Sequence, residues 1–267
     1  MQTFFYNALN FLKSFLGFKR GEKPTYWLTR FVFLRLLGMI YFVGFLLLVN
    51  QGLPLIGESG LLPAQNFMNA LEIRHGGKLT GFVQWPTLFW ISVSDRMLMG
   101  LAWAGAAVSF IVMIGFANVP MMFALWFLYM SFVHVGQAWY GYGWEIQLLE
   151  TGFLGIFLCP LWDARPFPRS PPPTVVIWLL RWLILRIYIG AGMIKIRGDS
   201  CWSDLTCLFY HYETQPIPNP LSPWFHFLPS WFQKFSVAWN HFTQMAVPWF
   251  AFGPRPARHL AVLLLCL

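Results

Sequence analysis

An all-α, polytopic transmembrane helix bundle with amphipathic, interfacial segments and one long lumenal or exterior loop is the expected architecture, on three grounds. The 267 residues are 57% hydrophobic and 10% charged, whereas a soluble domain carries about 25% charged residues, and the mean hydropathy is +0.55. Apolar runs recur at lengths near the ~20 residues that a helix needs to cross a bilayer. The Lys and Arg residues behind the formal net charge of +8 stand at the ends of those runs instead of gathering on one face. That pattern encodes topology and excludes nucleic acid as a partner; the expected partner surface is the lipid bilayer.

Residues 1–30 read as a cytoplasmic amphipathic leader. Phe4, Phe5, Leu9, Leu12, Phe15 and Leu16 recur at helical spacing, with Asn7, Asn10, Lys13 and Ser14 between them, as in a helix lying in the membrane interface. Lys19, Arg20 and Lys23 follow as a basic collar. No small-residue cleavage site follows the first long apolar run, so a cleaved signal peptide is not expected.

Residues 31–267 read as the bundle. Spans are expected over 31–49, 97–116, 121–135, 146–162, 175–196 and 235–252, with a seventh starting near Ala257 and the chain ending inside it. Between the first two, Pro63 opens an amphipathic helix that His75-Gly76-Gly77 breaks. "QWPTLFWIS" reads as interfacial, and Ser94 as the N-cap of the next helix. The proline-rich connector 165–173 has no helix potential.

Charge sets the expected orientation. Lys13, Lys19, Arg20, Lys23 and Arg30, then Arg165 and Arg169, then Arg255 and Arg258, all fall on one side if the N-terminus is cytoplasmic. The loop 197–234 then faces the other side, an oxidising space in which disulfides persist. It holds Cys201 and Cys207, whose spacing suits a bridge closing a short turn. Free thiols, a redox-active pair and a zinc site using Cys207, His211 and Glu213 or His226 are the alternatives, although six-residue spacing is not C-x-x-C and matches no standard zinc pattern. Proline-stiffened aromatics in the same loop could rest in the headgroup belt or form a protein-binding face that loses little entropy on docking.

Arg186 falls near the middle of the fifth span, where a lone charge costs several kcal/mol. It should therefore face the bundle, and Glu150 in the fourth span is the candidate for an intramembrane ion pair, with Glu145 just outside that span. His134 and His241 are expected as hydrogen-bonded core residues. No nucleophile–base pair or phosphate loop is visible, and neither a catalytic residue, a metal site nor a cofactor is expected.

Three stretches carry a resemblance: "VGQAWYGYGWEIQLLETGFLGIFLCPLW" (135–162), "LRWLILRIYIGAGMIKIRGDSCWSDLTCLFYHYETQPIPNP" (180–220) and "NHF" (240–242). With "GLLPA" after the first span, they resemble the lipase maturation factor family, its type 1 branch most closely. The resemblance implies a multi-pass, chaperone-like protein of the endoplasmic reticulum membrane. It implies a role in the folding, homodimer assembly and secretion of lipases of the lipoprotein, hepatic and endothelial type, with the loop after the fifth span engaging the client. Trp202, Tyr210, Tyr212 and Trp224 are the client-binding candidates. The alternative is a membrane-embedded enzyme distantly like vitamin K-dependent carboxylases, motivated by Lys195, His241 and Glu150.

Overall fold

In the computed structural model, which describes residues 25–215, 217 and 219–266, every regular element is a helix. The leader helix expected over residues 3–18 lies outside these residues. The described chain divides into two compact units, 25–178 and 179–266, the division falling within the helix Thr174–Gly198.

The first unit contains α1 (Trp27–Ile56), α2 (Ala64–His75), α3 (Lys78–Gln84), α4 (Asp95–Ile114), α5 (Val119–Val135) and α6 (Gly143–Leu158). Among the described residues, three helices are long and apolar enough to cross a membrane: α1, α4 and Thr174–Gly198, here α7. The protein is therefore an all-α membrane helix bundle. Two further expected spans, α5 and α6, are apolar but only 17 and 16 residues long. At 1.5 Å per residue they reach about 25 Å, short of the ~30 Å hydrocarbon core.

Helix α1 buries Leu34, Leu37, Tyr41, Phe45 and Leu48, a stripe at three- and four-residue intervals. The core forms where this stripe meets α4, α5 and α6. Phe45 packs edge-on to Tyr129 and Phe132, at centroid separations of 5.6 and 6.4 Å, and Tyr41 packs edge-on to Tyr129 at 5.6 Å. Two glycines make this possible. A Cβ on Gly105 would run into the Phe45 ring, and one on Gly152 into the Tyr41 hydroxyl. Small residues let transmembrane helices approach closely in just this way.

Polar groups fix the helix ends. Ser94 Oγ accepts from the Met97 amide at 3.3 Å and Asn118 Oδ1 from the Met121 amide at 3.0 Å, each satisfying a donor that the first turn leaves open. Gly76 closes α2 at φ 72°, in the left-handed region that glycine enters freely. The interfacial piece carries a 3-10 turn, Leu88–Trp90. It docks on α5 through Ser131 Oγ, which accepts from the Leu88 amide at 3.1 Å, and through His134 Nδ1, 2.9 Å from the Pro86 carbonyl. His134 is thus half-buried and hydrogen-bonded.

The connector after α6 is free of helix and is tied down by its backbone. The amides of Ala117 and Val119 donate to the carbonyls of Ala164 and Pro160, each at 3.1 Å. Arg30 reaches the Ser170 carbonyl at 3.0 Å. Asp163 and Arg165 form a two-pronged pair at 2.7 and 2.8 Å on the surface, and the guanidinium holds the Asp163 carboxyl well below the usual carboxylate range.

The second unit continues α7 into α8 (Ser200–Ser203), α9 (Leu208–Thr214), α10 (Ser222–His226), α11 (Ser230–Met245), a 3-10 turn Val247–Phe252, and α12 (Arg255–Cys266). The long segment 197–234 contains short helices and the start of α11: Asp199 caps α8, Pro223 sits in the first turn of α10 and Pro229 caps α11. One expectation is corrected here. The span expected over 235–252 breaks at Met245, where Pro248 turns the chain into the 3-10 segment. Helix α11 carries Lys234, Asn240, His241 and Gln244 beside the aromatics, which makes it amphipathic instead of uniformly apolar.

Candidate functional site

Helix α7 ends at Gly198, and its last turn carries Lys195 and Arg197, a placement that complements the negative end of the helix dipole. Asp199 then starts α8 by accepting the Cys201 amide at 2.8 Å. Four residues later the chain must reverse. Leu205 adopts φ 58°, a left-handed conformation costing a non-glycine residue about 1–2 kcal/mol, and the amides of Thr206 and Cys207 both donate to the Cys201 carbonyl, at 2.8 and 3.1 Å. A Cys201–Cys207 disulfide, with Cα atoms 4.7 Å apart, closes this turn. Trp202 sits inside the closed ring and is held by it.

The turn aims Trp202 at two elements. Its ring lies 4.8 Å from Lys195 Nζ, a cation–π contact, and its carbonyl accepts from His241 Nε2 at 3.0 Å. From α11, Asn240 Oδ1 accepts from Lys195 Nζ at 2.8 Å. Lys195, Trp202, Asn240 and His241 therefore form one cluster joining α7, α8 and α11. His241 is hydrogen-bonded, and its Nδ1 is buried without a partner among the described residues.

Below the cluster, α9 and α10 lean together through Tyr212 and Phe225, stacked at 6.0 Å, and through His226 Nε2 and Glu213 Oε1 at 3.0 Å. Burial pushes the Tyr212 phenol above its ordinary range, so it stays a neutral hydrogen-bonding group. Gln233, only 1% exposed, donates from Nε2 to the carbonyls of both Phe225 and His226. It thereby closes the end of α10 that a five-residue helix cannot satisfy alone. A cavity of about 750 Å³ is lined from α7 through α12, with Lys195, Trp202, Tyr212, Phe235, Trp239 and Leu265 among the residues lining it.

The four client-binding candidates divide in two. Trp224 and Tyr210 are 77% and 62% exposed. Trp202 and Tyr212 are half-buried and turn inward to the cavity. Phe227 and Trp231, also exposed, extend the outer aromatic face beside Trp224 in sequence. Sequence reading missed Gln233 and Asn240 as positioning groups. The one signal was an uncharged polar side chain within an otherwise aromatic, apolar run.

Glu150 is half-buried on α6 in the first unit, and Arg186 is exposed on α7 in the second. Glu145 is deeply buried, 2% exposed, and accepts a hydrogen bond from the Tyr129 hydroxyl. The sequence placed Glu145 just outside its span, but α6 starts three residues before the expected 146, at Gly143, and includes Glu145. Among the described residues no three His, Cys, Asp or Glu side chains converge as a metal site would need.

Residues 28–267 match the family described as the lipase maturation factor transmembrane domain. Lipase maturation factor 1 of Bos taurus is 51% identical over 244 residues, covering 87% of this chain and 43% of that protein. The Homo sapiens protein of the same name is 48% identical over 242 residues, covering 87% and 42%. Lipase maturation factor 2 of Xenopus tropicalis is 37% identical over 243 residues, covering 85% and 33%. The chain thus spans less than half the length of these relatives, and no solved structure matches it. From the matched membrane domain and the identity that runs through it, this chain belongs to the lipase maturation factor family.

Proposed function

We propose that this chain is the membrane domain of a non-enzymatic maturation factor of the endoplasmic reticulum, needed for secreted lipases of the lipoprotein, hepatic and endothelial type to fold, pair as homodimers and leave the cell active. The observation that carries the reading is the 51% identity to Lipase maturation factor 1 over 244 residues. The N-terminus is cytoplasmic, as the basic flanks argue, and the segment 197–234 faces the lumen. There the exposed rings of Tyr210 and Trp224, with Phe227 and Trp231, meet a partly folded client. Rigid aromatic anchors lose little entropy on docking. Binding shifts the client's folding equilibrium by mass action, by about 2.7 kcal/mol when the binding species is present at 100 times Kd.

The test is coexpression of the full-length protein with a dimeric lipase in cells lacking their own factor, followed by assay of secreted lipase activity and dimer content. Restored activity together with restored dimer supports the proposal. Activity that remains at background, with the factor expressed and correctly inserted, overturns it. Orientation is tested separately: after mild reduction, a membrane-impermeant thiol reagent should reach Cys201 and Cys207 only from the lumenal side.

A membrane-embedded enzyme is the second reading, favoured by the meeting of Lys195 and His241 at Trp202. It requires a covalent change in the client, visible as a mass difference between lipase made with and without the factor. The binding reading requires identical masses.

A further inference from the structure

The 750 Å³ cavity lies within the range of about 300–1,000 Å³ typical of small-molecule sites, and client recognition by outward-facing rings makes no use of it. Its wall has two characters. Phe232, Phe235, Trp239 and Leu265 give it apolar surface, and Lys195 and Asn240, hydrogen-bonded to each other, also line it. Among the described residues lining it there is no Asp or Glu, and Lys195 brings the single fixed charge.

Among the described residues, both contacts of that ammonium, the Asn240 amide oxygen and the Trp202 ring, are neutral. The helix dipole it completes amounts to about half an elementary charge, which leaves the cation undercompensated beside an apolar surface. Such a site favours an anionic head, because a charge-assisted hydrogen bond gains strength where water is scarce. The position agrees. Lys195 is three residues from the end of a helix long enough to cross a membrane, so it stands at the headgroup level whichever way the helix runs.

We propose that this cavity binds a single-chain anionic amphiphile, its head held by Lys195 and its acyl chain laid along Phe235, Trp239 and Leu265. A free fatty acid and a lysophospholipid with a phosphate monoester head share this chemistry, whereas a two-chain lipid overfills a site of this size. The proposal goes beyond the lipase reading and does not depend on it.

The experiment uses the full-length protein in phosphatidylcholine nanodiscs, with cis-parinaric acid as the fluorescent probe, its methyl ester as the uncharged control, and signal from empty nanodiscs subtracted. Wild type should bind one equivalent of the acid, displaced by palmitate or lysophosphatidic acid, and should prefer acid to ester. The displacer effective at lower concentration identifies the source of the ligand. Asn240→Asp keeps the contact to Lys195 but supplies the missing counter-charge. Lys195→Met removes the cation. Both should weaken acid binding about tenfold or more, with the ester unchanged, while Lys195→Arg should restore it. Folding of each variant is checked by its gel-filtration profile. Absence of saturable acid binding to the folded wild type, equal binding of acid and ester, stronger displacement by lysophosphatidylcholine than by palmitate, or an unaffected Asn240→Asp variant would each overturn the proposal.

Discussion

Lys195 Nζ donates to Asn240 Oδ1 across 2.8 Å, joining the last turn of α7 to the middle of α11. The two residues are 45 positions apart in sequence, so this bond is tertiary and sets where α11 lies along the end of α7. Replacing Asn240 with Leu leaves a half-buried ammonium without its oxygen, a loss of about 1.5–3 kcal/mol for a bond to a charged group. The melting temperature of the purified full-length protein should fall for Asn240→Leu and be retained by Asn240→Asp. Identical melting of Asn240→Leu and wild type would show that the contact adds nothing to stability.

The disulfide turn is expected to be structural. Closing a ring of this size stabilises by about 2 kcal/mol on loop-entropy grounds, and here it also restrains the left-handed Leu205 and the ring of Trp202. Replacing Cys201 and Cys207 with Ser together should lower the factor's own steady-state abundance and expose the turn to limited proteolysis, without mixed disulfides to a lipase. Accumulation of wrongly bridged client on a non-reducing gel would instead assign the pair a redox role.

Burial sorts the four aromatic candidates into two phenotypes. Trp224→Ala and Tyr210→Ala should reduce secreted lipase activity with the factor's abundance unchanged, since both rings are exposed. Trp202→Ala and Tyr212→Ala remove rings that pack on Lys195 and Phe225, and should lower the factor's own abundance first. Immunoblotting beside the activity assay separates the two outcomes, and loss of abundance for all four would count against an outer binding face.

In the first unit, Gly105 is sensitive to volume, because an added Cβ meets the Phe45 ring and not the end of a flexible chain. Gly105→Ala should destabilise by about 1–3 kcal/mol, the usual effect of overpacking, and Gly105→Ala with Phe45→Leu should recover part of it. The comparison is made on the melting temperatures of the three variants. A Gly105→Ala protein as stable as wild type would show that α1 and α4 separate without penalty.

Much of the helical bundle was legible because hydropathy and capping chemistry agree. The runs that became α1, α4 and α7 are long and apolar, and Ser94 announces the start of α4 through an oxygen that does cap it. Legibility failed where aromatic residues raised the apparent hydropathy of a polar helix. In α11, Trp239 and Phe242 conceal Asn240, His241 and Gln244, and Pro248 ends the helix where a span was expected to continue.

In the segment after α7, Pro223 and Pro229 stand at helix starts, where their fixed φ is an advantage. The site itself was only half readable. Each of Lys195, Trp202 and His241 stood out by residue type, but their meeting depends on the reversal at Leu205 and on the packing of α11, and no local period records either. Glu145 was misplaced because its burial is decided by Tyr129, a partner on another helix.

Helix α1, with 30 residues, is about 45 Å long, half as long again as the oily slab it crosses. Lying wholly within that slab would require a lean of nearly 50°, steeper than the ~40° at which tilted membrane helices top out. Some of its turns must therefore project into water or headgroups, like a post standing proud of a floor. If the projecting end is the C-terminal one, it carries with it the Gly57 turn and the Glu58 amide that Asp95 holds at 2.8 Å, so the first and second long apolar helices would be buttoned together above the lipid.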